Sequence, residues 1–115
     1  MFSQAYQEVA RDEQSDHRSG ESQILGQTLM MMANCDNAPH DKVNRVKTIY
    51  HVGRVWNYFM KELASPENAM PNELKAQLIS IGIFILKHLD KMRDEPTANF
   101  QPLREITATL QKGLS

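Results

Sequence analysis

The chain has 115 residues, a net charge of −1 with acids and bases interspersed, and a single cysteine, Cys35. That length suffices for one domain with its own core. The charge balance lacks the basic stripe of a typical nucleic-acid binder, and a lone cysteine excludes an internal disulfide and suits a reducing compartment.

The N-terminal MFSQAYQEVARDEQSD is polar and acidic, with neither an apolar signal core nor an Arg-rich transit pattern. A cytoplasmic location is therefore expected. SQAYQEVARDE reads as a short first helix with Ser3 as its cap, and EQSDHRSG reads as a turn. ESQILGQTLMMMANC follows as a second helix, its positions Ile24, Leu25, Thr28, Leu29, Met32 and Cys35 recurring at threes and fours. CDNAP ends it, and Pro39 suits the first turn of the next helix.

The third helix is expected from about Pro39 to Ala64. Its stripe is Val46, Ile49, Tyr50, Gly53, Trp56, Met60 and Leu63, with Lys47, His51, Arg54, Tyr58 and Lys61 opposite. SPENAMP breaks it. Pro71 then fits the first turn of a fourth helix, where Glu73 complements the N-terminal dipole. The fourth helix runs to about Asp94 on the stripe Leu74, Leu78, Ile81, Ile85, Leu89 and Met92. Its middle, LISIGIFIL, is too short for a membrane span, which needs roughly 18 or more apolar residues. It also belongs to a longer helical period, which argues against a strand. EPTANFQP is a loop, and LREITATLQKGL closes the chain as a short helix with Leu103, Ile106 and Leu110 inward and Gly113 as a stop signal. These elements predict an all-α fold: one domain over residues 1–115, a bundle of four to five helices whose two long central members form an antiparallel hairpin.

Both central helices carry more apolar surface than one stripe. Val52, Val55 and Phe59 make a second face on the third helix; Ile79, Ile83 and Leu86 do the same on the fourth. Such a helix is either central in a bundle or exposes a docking face. The mid-helix glycines Gly26, Gly53 and Gly82 suit close helix crossing. The methionines, among them Met30, Met31, Met32, Met60, Met70 and Met92, serve either as core filler or as an adaptable binding surface.

Catalytic signatures are missing. No P-loop, glycine-rich dinucleotide turn or HExxH is present. His17, His40, His51 and His88 have no metal-ligand spacing, Cys35 lacks a nearby base, and Glu62, Glu67 and Glu73 read as solvated or helix-terminal charges. Neither an enzyme nor a cofactor is expected.

The segment RVWNYFMKELASPENAMPNELKAQLISIGIFILKHLDK carries a Trp late in one helix (Trp56, with Phe59 a turn on) and a loop closing on Asn68, Met70 and Pro71. It continues with Leu74, Ala76, Leu78, Ile79, Ser80 and Ile81. The tail adds Asn99, Phe100, Leu103, Ile106, Gly113 and Leu114, and the start Ala5 and Tyr6. Together these resemble the FlaF family of flagellar biosynthesis regulators. The resemblance covers nearly the whole chain and is most specific from Arg54 to Ile81. It departs where family members often have a Ser-Pro-Arg type start to the second helix, since Ser15, Asp16, His17 and Arg18 lack the proline, and ILGQTLMMMANC is weakly matched.

The resemblance implies a protein needed for flagellin synthesis and export, acting with the regulator FlbT, and looking like a flagellin-binding secretion chaperone or adaptor. Flagellin ends in long amphipathic helices, so the expected mode is helix-in-groove recognition. The candidate groove is Val52, Val55, Phe59, Ile79, Ile83 and Leu86. Trp56, Asn68, Pro71, Leu74, Leu78 and Ile81 are family-motif residues with a structural role. The alternatives are regulation of flagellin mRNA through a patch of Arg45, Lys47, Arg54 and Lys61 with Tyr58 for stacking, and an adaptor whose main partner is FlbT. The broad apolar faces are equally compatible with a homodimer. No membrane insertion is expected.

Overall fold

The computed structural model describes the backbone of residues 11–114 and the side chains of residues 20–113. Four helices follow one another: α1 (Arg11–Asn37), α2 (Lys42–Ala64), α3 (Asn72–Asp94) and α4 (Gln101–Leu114). No strand occurs among the described residues. The body measures 45 × 22 × 18 Å, its long dimension close to the roughly 40 Å that a helix of α1's 27 residues spans.

Neighbouring helices run antiparallel. Gly82 of α3 lies against Trp56 and Met60 of α2, whereas Gly53 lies against Leu89, so numbering falls in one helix as it rises in the other. Likewise Gln111 of α4 donates to the Ser22 carbonyl of α1 at 3.3 Å, while Phe100 N, just before α4, donates to Asp36 at 3.0 Å. α1 packs on both α2 and α4, and α2 on α3.

The punctuation differs from the sequence reading in three places. EQSDHRSG is not a turn: α1 runs through it unbroken from Arg11. The stretch contains no proline, and a single glycine costs a helix only about 1 kcal/mol. The expected separate first helix over Ser3–Glu13 otherwise falls on residues 3–10, outside the described ones. Pro39 is not in the first turn of α2. It occupies a turn closed by Asp41 N to Ala38 O at 3.0 Å, where its fixed φ is favourable, and Asp41 caps α2 by accepting from Asn44 N at 3.0 Å. Gly113 does not stop α4, which continues to Leu114.

Two interhelical loops share one construction. Ser65 and Glu95 each precede a proline, which disfavours helical backbone, and both are extended. Each then begins a turn, closed by Asn68 N to Ser65 O and Ala98 N to Glu95 O, both at 3.1 Å. An asparagine side chain next accepts from the backbone two residues on: Asn68 from Met70 N at 2.9 Å, Asn99 from Gln101 N at 3.0 Å. The residue after that asparagine or one further on, Phe100 or Met70, is driven into the core.

The core is Leu25, Met32 and Cys35 from α1; Ile49, Val52, Trp56, Phe59 and Leu63 from α2; Leu78, Ile85, Leu89 and Met92 from α3; Leu103 and Leu110 from α4, with Met70 and Phe100 from the loops. α2 is therefore rotated roughly a sixth of a turn from the expected stripe. Val46 and Tyr50 are exposed, at 67% and 63%, while Val52 and Phe59, expected on the second face, are buried. Thr48 explains the shift. It is fully buried and begins the run Thr48, Val52, Trp56, Phe59, Leu63 at spacings of four and three.

Two glycines on this interface predict opposite outcomes. A Cβ on Gly53 would stand 3.7 Å from Leu89 Cδ1, an ordinary contact. Gly53→Ala should stabilise the fold by about 0.5–1 kcal/mol through helix propensity alone. A Cβ on Gly82 would run into Met60 Sδ and come within 3.3 Å of Trp56 Cε3. Gly82→Val should destabilise by about 1–3 kcal/mol through overpacking. Urea unfolding midpoints of the two variants check both signs.

Candidate docking surface

α1 and α2 pack as ridges with a trough between them of about 490 Å³. Ile24 and Gln27 form its α1 wall; His51, Arg54, Val55, Tyr58 and Phe59 form the floor and the α2 wall. Helical spacing explains the grouping: positions 51, 55 and 58 recur at four and three along the side of α2 turned to α1. Phe59 is buried and Val55 partly buried, so they supply an apolar floor, while Tyr58 is 54% exposed at the rim. Tyr58 leans on Phe59 at a centroid distance of 5.9 Å. His51 Nε2 lies 3.4 Å from Thr28 Oγ1, a polar tie across the trough.

A second, smaller hollow of about 290 Å³ lies on the α3 side of α2, among Arg45, Val46, Ile49, Tyr50, Met92 and Arg93. Between the two hollows the guanidinium of Arg54 sits over the Tyr50 ring, 5.9 Å from its centroid. On α3, Ile83 and Phe84 are about half exposed. Phe84 stacks on His88 at 6.2 Å, and His88 Nε2 donates to the Asn99 carbonyl at 2.7 Å.

The expected groove residues separate. Val55 and Phe59 line the α1–α2 trough. Val52 belongs to the core, Ile79 and Leu86 pack against it while partly buried, and Ile83 projects from α3 to solvent. A partner could reach Val52 only by opening the bundle. Sequence reasoning placed Tyr58 on the polar face and Ile24 in the core stripe. Ile24 is 37% exposed, and both belong to the trough. The signal was available in Thr48, whose inclusion in the stripe turns the 51–55–58 line toward α1.

The basic patch also separates. Arg45 donates to the carbonyls of Ala98 and Met92, each at 2.8 Å, and of Glu95 at 3.1 Å. It closes the C-terminal end of α3 and the loop after it, where free carbonyls and the helix dipole favour a cation. Asp36 does the reverse for α4, accepting from Phe100 N and pairing with Arg104 at 3.4 Å. Lys47, Arg54 and Lys61 remain on the exposed face of α2.

Among the described residues no group of His, Cys, Asp and Glu could hold a metal ion, and no helix is long and apolar enough to cross a membrane. Burial pushes the Cys35 thiol up, with Asp36 adding to the shift and the Thr48 hydroxyl opposing it. A dry, protonated thiol of this kind is a packing group rather than a nucleophile.

The flagellar protein FlaF family model matches residues 2–114. The chain belongs to the FlaF family. It is thus a flagellar protein, and no curated protein or solved structure gives a match. The family-motif residues named from sequence fall in two places. Trp56 and Leu78 are core, with Leu74 and Ile81 packed against it. Asn68 shapes the α2–α3 loop, its Nδ2 also donating to Glu62 O at 2.9 Å, and Pro71 directly precedes α3.

The Arg45 geometry carries a prediction. Arg45→Met removes the guanidinium donor from three carbonyls at the α3 end and the loop after it, of which Glu95 O keeps Ala98 N, and should cost about 2 kcal/mol. Arg45→Lys, lacking the planar fork, should recover less than half of it. Thermal and urea unfolding of the two variants check this.

Proposed function

We propose that this FlaF family member is a non-catalytic flagellin-binding adaptor, serving flagellin synthesis and export alongside FlbT. The observation that carries this reading is the α1–α2 trough. An apolar floor bounded by two antiparallel helix ridges has the shape of a helix-in-groove receptor, and a third helix seated there would complete a helix-packing layer. Flagellin, whose terminal amphipathic helices are unpaired before polymerisation, supplies such an occupant. The docking surface is then Val55 and Phe59 of the expected set together with Ile24 and Tyr58, rather than the second face of α3.

Calorimetric titration with intact flagellin, and with flagellin lacking each terminal helical segment, tests the reading. Binding should be present with the intact protein and lost on one truncation. Tyr58→Asp, at an exposed rim position, should weaken binding at least about tenfold with helix content unchanged. Ile83→Asp, on α3, should leave both binding and helix content intact. Absence of binding to intact flagellin would sink the proposal.

A further inference from the structure

The trough has a one-sided charge. On α1 the nearest acid is Glu21, one turn before Ile24 and buried rather than at the rim; from Ser22 to Asn34 there is no charged residue, and from Lys42 to Lys61, α2 contains five cations and no Asp or Glu. Arg54 lines the trough with His51, and Lys47 and Lys61 are exposed on the same helix. The ion pairs Lys91–Glu95, Arg93–Asp90 and Arg104–Asp36 lie on other helices or at the far end of the bundle. The guanidinium of Arg54 lies 5.9 Å from the Tyr50 ring centroid and the residue is exposed, so its N–H donors are accessible to a ligand or to water. The first acid on this side of α2 is Glu62, one turn past Tyr58. In a chain of nearly zero net charge, this is a local positive field over an apolar floor.

We infer that the trough selects an amphipathic helix bearing a carboxylate beside its apolar stripe, the stripe covering Val55 and Phe59 and the carboxylate pairing with Arg54. This rests on the docking role proposed above and names the chemistry of the segment that binds. Arg54 offers a fork that matches a carboxylate in bidentate geometry, and a neutral or lysine-flanked helix would bury the same apolar area while leaving that fork unmatched or repelled. Recognition through a rim charge makes association fast and salt-sensitive, whereas the apolar floor sets residence time.

The full chain and its Arg54→Glu variant are titrated with three probes: intact flagellin and two synthetic amphipathic helices. The helices share Leu at i, i+4 and i+7 and differ only in Glu or Lys flanking that stripe. The Glu helix should bind wild type about tenfold or more tighter than the Lys helix, and Arg54→Glu should invert the order. Flagellin affinity should fall severalfold from about 0.05 to about 0.5 M salt, and fall again in Arg54→Glu. Equal binding of the two helices, or binding of neither, overturns the inference whatever flagellin does. Preference for the Glu helix without any flagellin binding preserves the inference and removes flagellin as the occupant. A single-stranded RNA that competes with the Glu helix and binds more tightly would also overturn it. Arg54 is exposed and outside the core, so circular dichroism of the variant should match wild type; if Arg54→Glu unfolds, Arg54→Gln, which should lose the preference without inverting it, provides the same decision.

Discussion

Trp56 has no exposed surface and lies against Gly82, where even a Cβ would come within 3.3 Å of its ring. This contact sets the separation of α2 and α3, and with it the rotation of α2 about its own axis. With the indole turned to α3 and Phe59 meeting it edge-on at 5.4 Å and 82°, Val52 and Leu63 follow into the core and Val46 and Tyr50 are carried out. The indole Nε1 meets no acceptor among the described residues, a cost of about 1–3 kcal/mol. The packing of a full Trp ring offsets it, since removing such a side chain from a core costs about 3–5 kcal/mol.

One end of the bundle is held by charge where the middle is held by packing. Arg45 near the start of α2 reaches the carbonyls that finish α3, and Asp36 near the end of α1 reaches the backbone that begins α4. Both place the sign of charge that the helix dipole favours. Because each donor or acceptor belongs to a different helix from the one it caps, the caps also fix tertiary register. Together they bring the start of α2 and the end of α1 to the loop between α3 and α4. The similar turn geometry of the two proline-led loops, each burying one large side chain, gives both ends of α3 a defined anchor at Met70 and Phe100.

Most of this architecture was legible in the sequence because prolines and the 3.6-residue period are local signals. SPENAMP and EPTANFQP marked their loops, and the α3 stripe from Leu78 to Met92 is the one observed. The misreadings share a cause. Thr48 and Thr107 are buried polar residues that a count of apolar letters passes over, and without Thr48 the stripe of α2 centres on Gly53 rather than Trp56. The surplus apolar letters on α2, open from sequence to core or docking surface, then resolve with Val52 and Phe59 buried, while Tyr50, expected on the stripe, is exposed. EQSDHRSG shows the complementary limit. Turn-forming letters without a proline do not end a helix whose neighbours favour continuing it. Arg45 was visible only as a cation, because its role depends on carbonyls roughly fifty residues away.

The same rotation separates stability from recognition. Along α2 the residues that hold the fold, Thr48, Val52, Trp56, Phe59 and Leu63, face one way, while Tyr50, Arg54 and Tyr58 face solvent. Of the fold-holding residues, Phe59 also lines the trough while staying buried in the core. Exposed tyrosines are well suited to such a rim: the rings add contact area with little rotamer entropy to lose and keep a polar edge in water when unoccupied. An apolar residue of the same size at position 58 would offer a helix as much contact area, and would leave more exposed apolar surface for other copies of the chain to share. For the helix docking proposed above, a tyrosine and arginine rim over a small apolar floor supplies apolar area for an amphipathic helix while leaving less exposed apolar surface for copies of the chain to share.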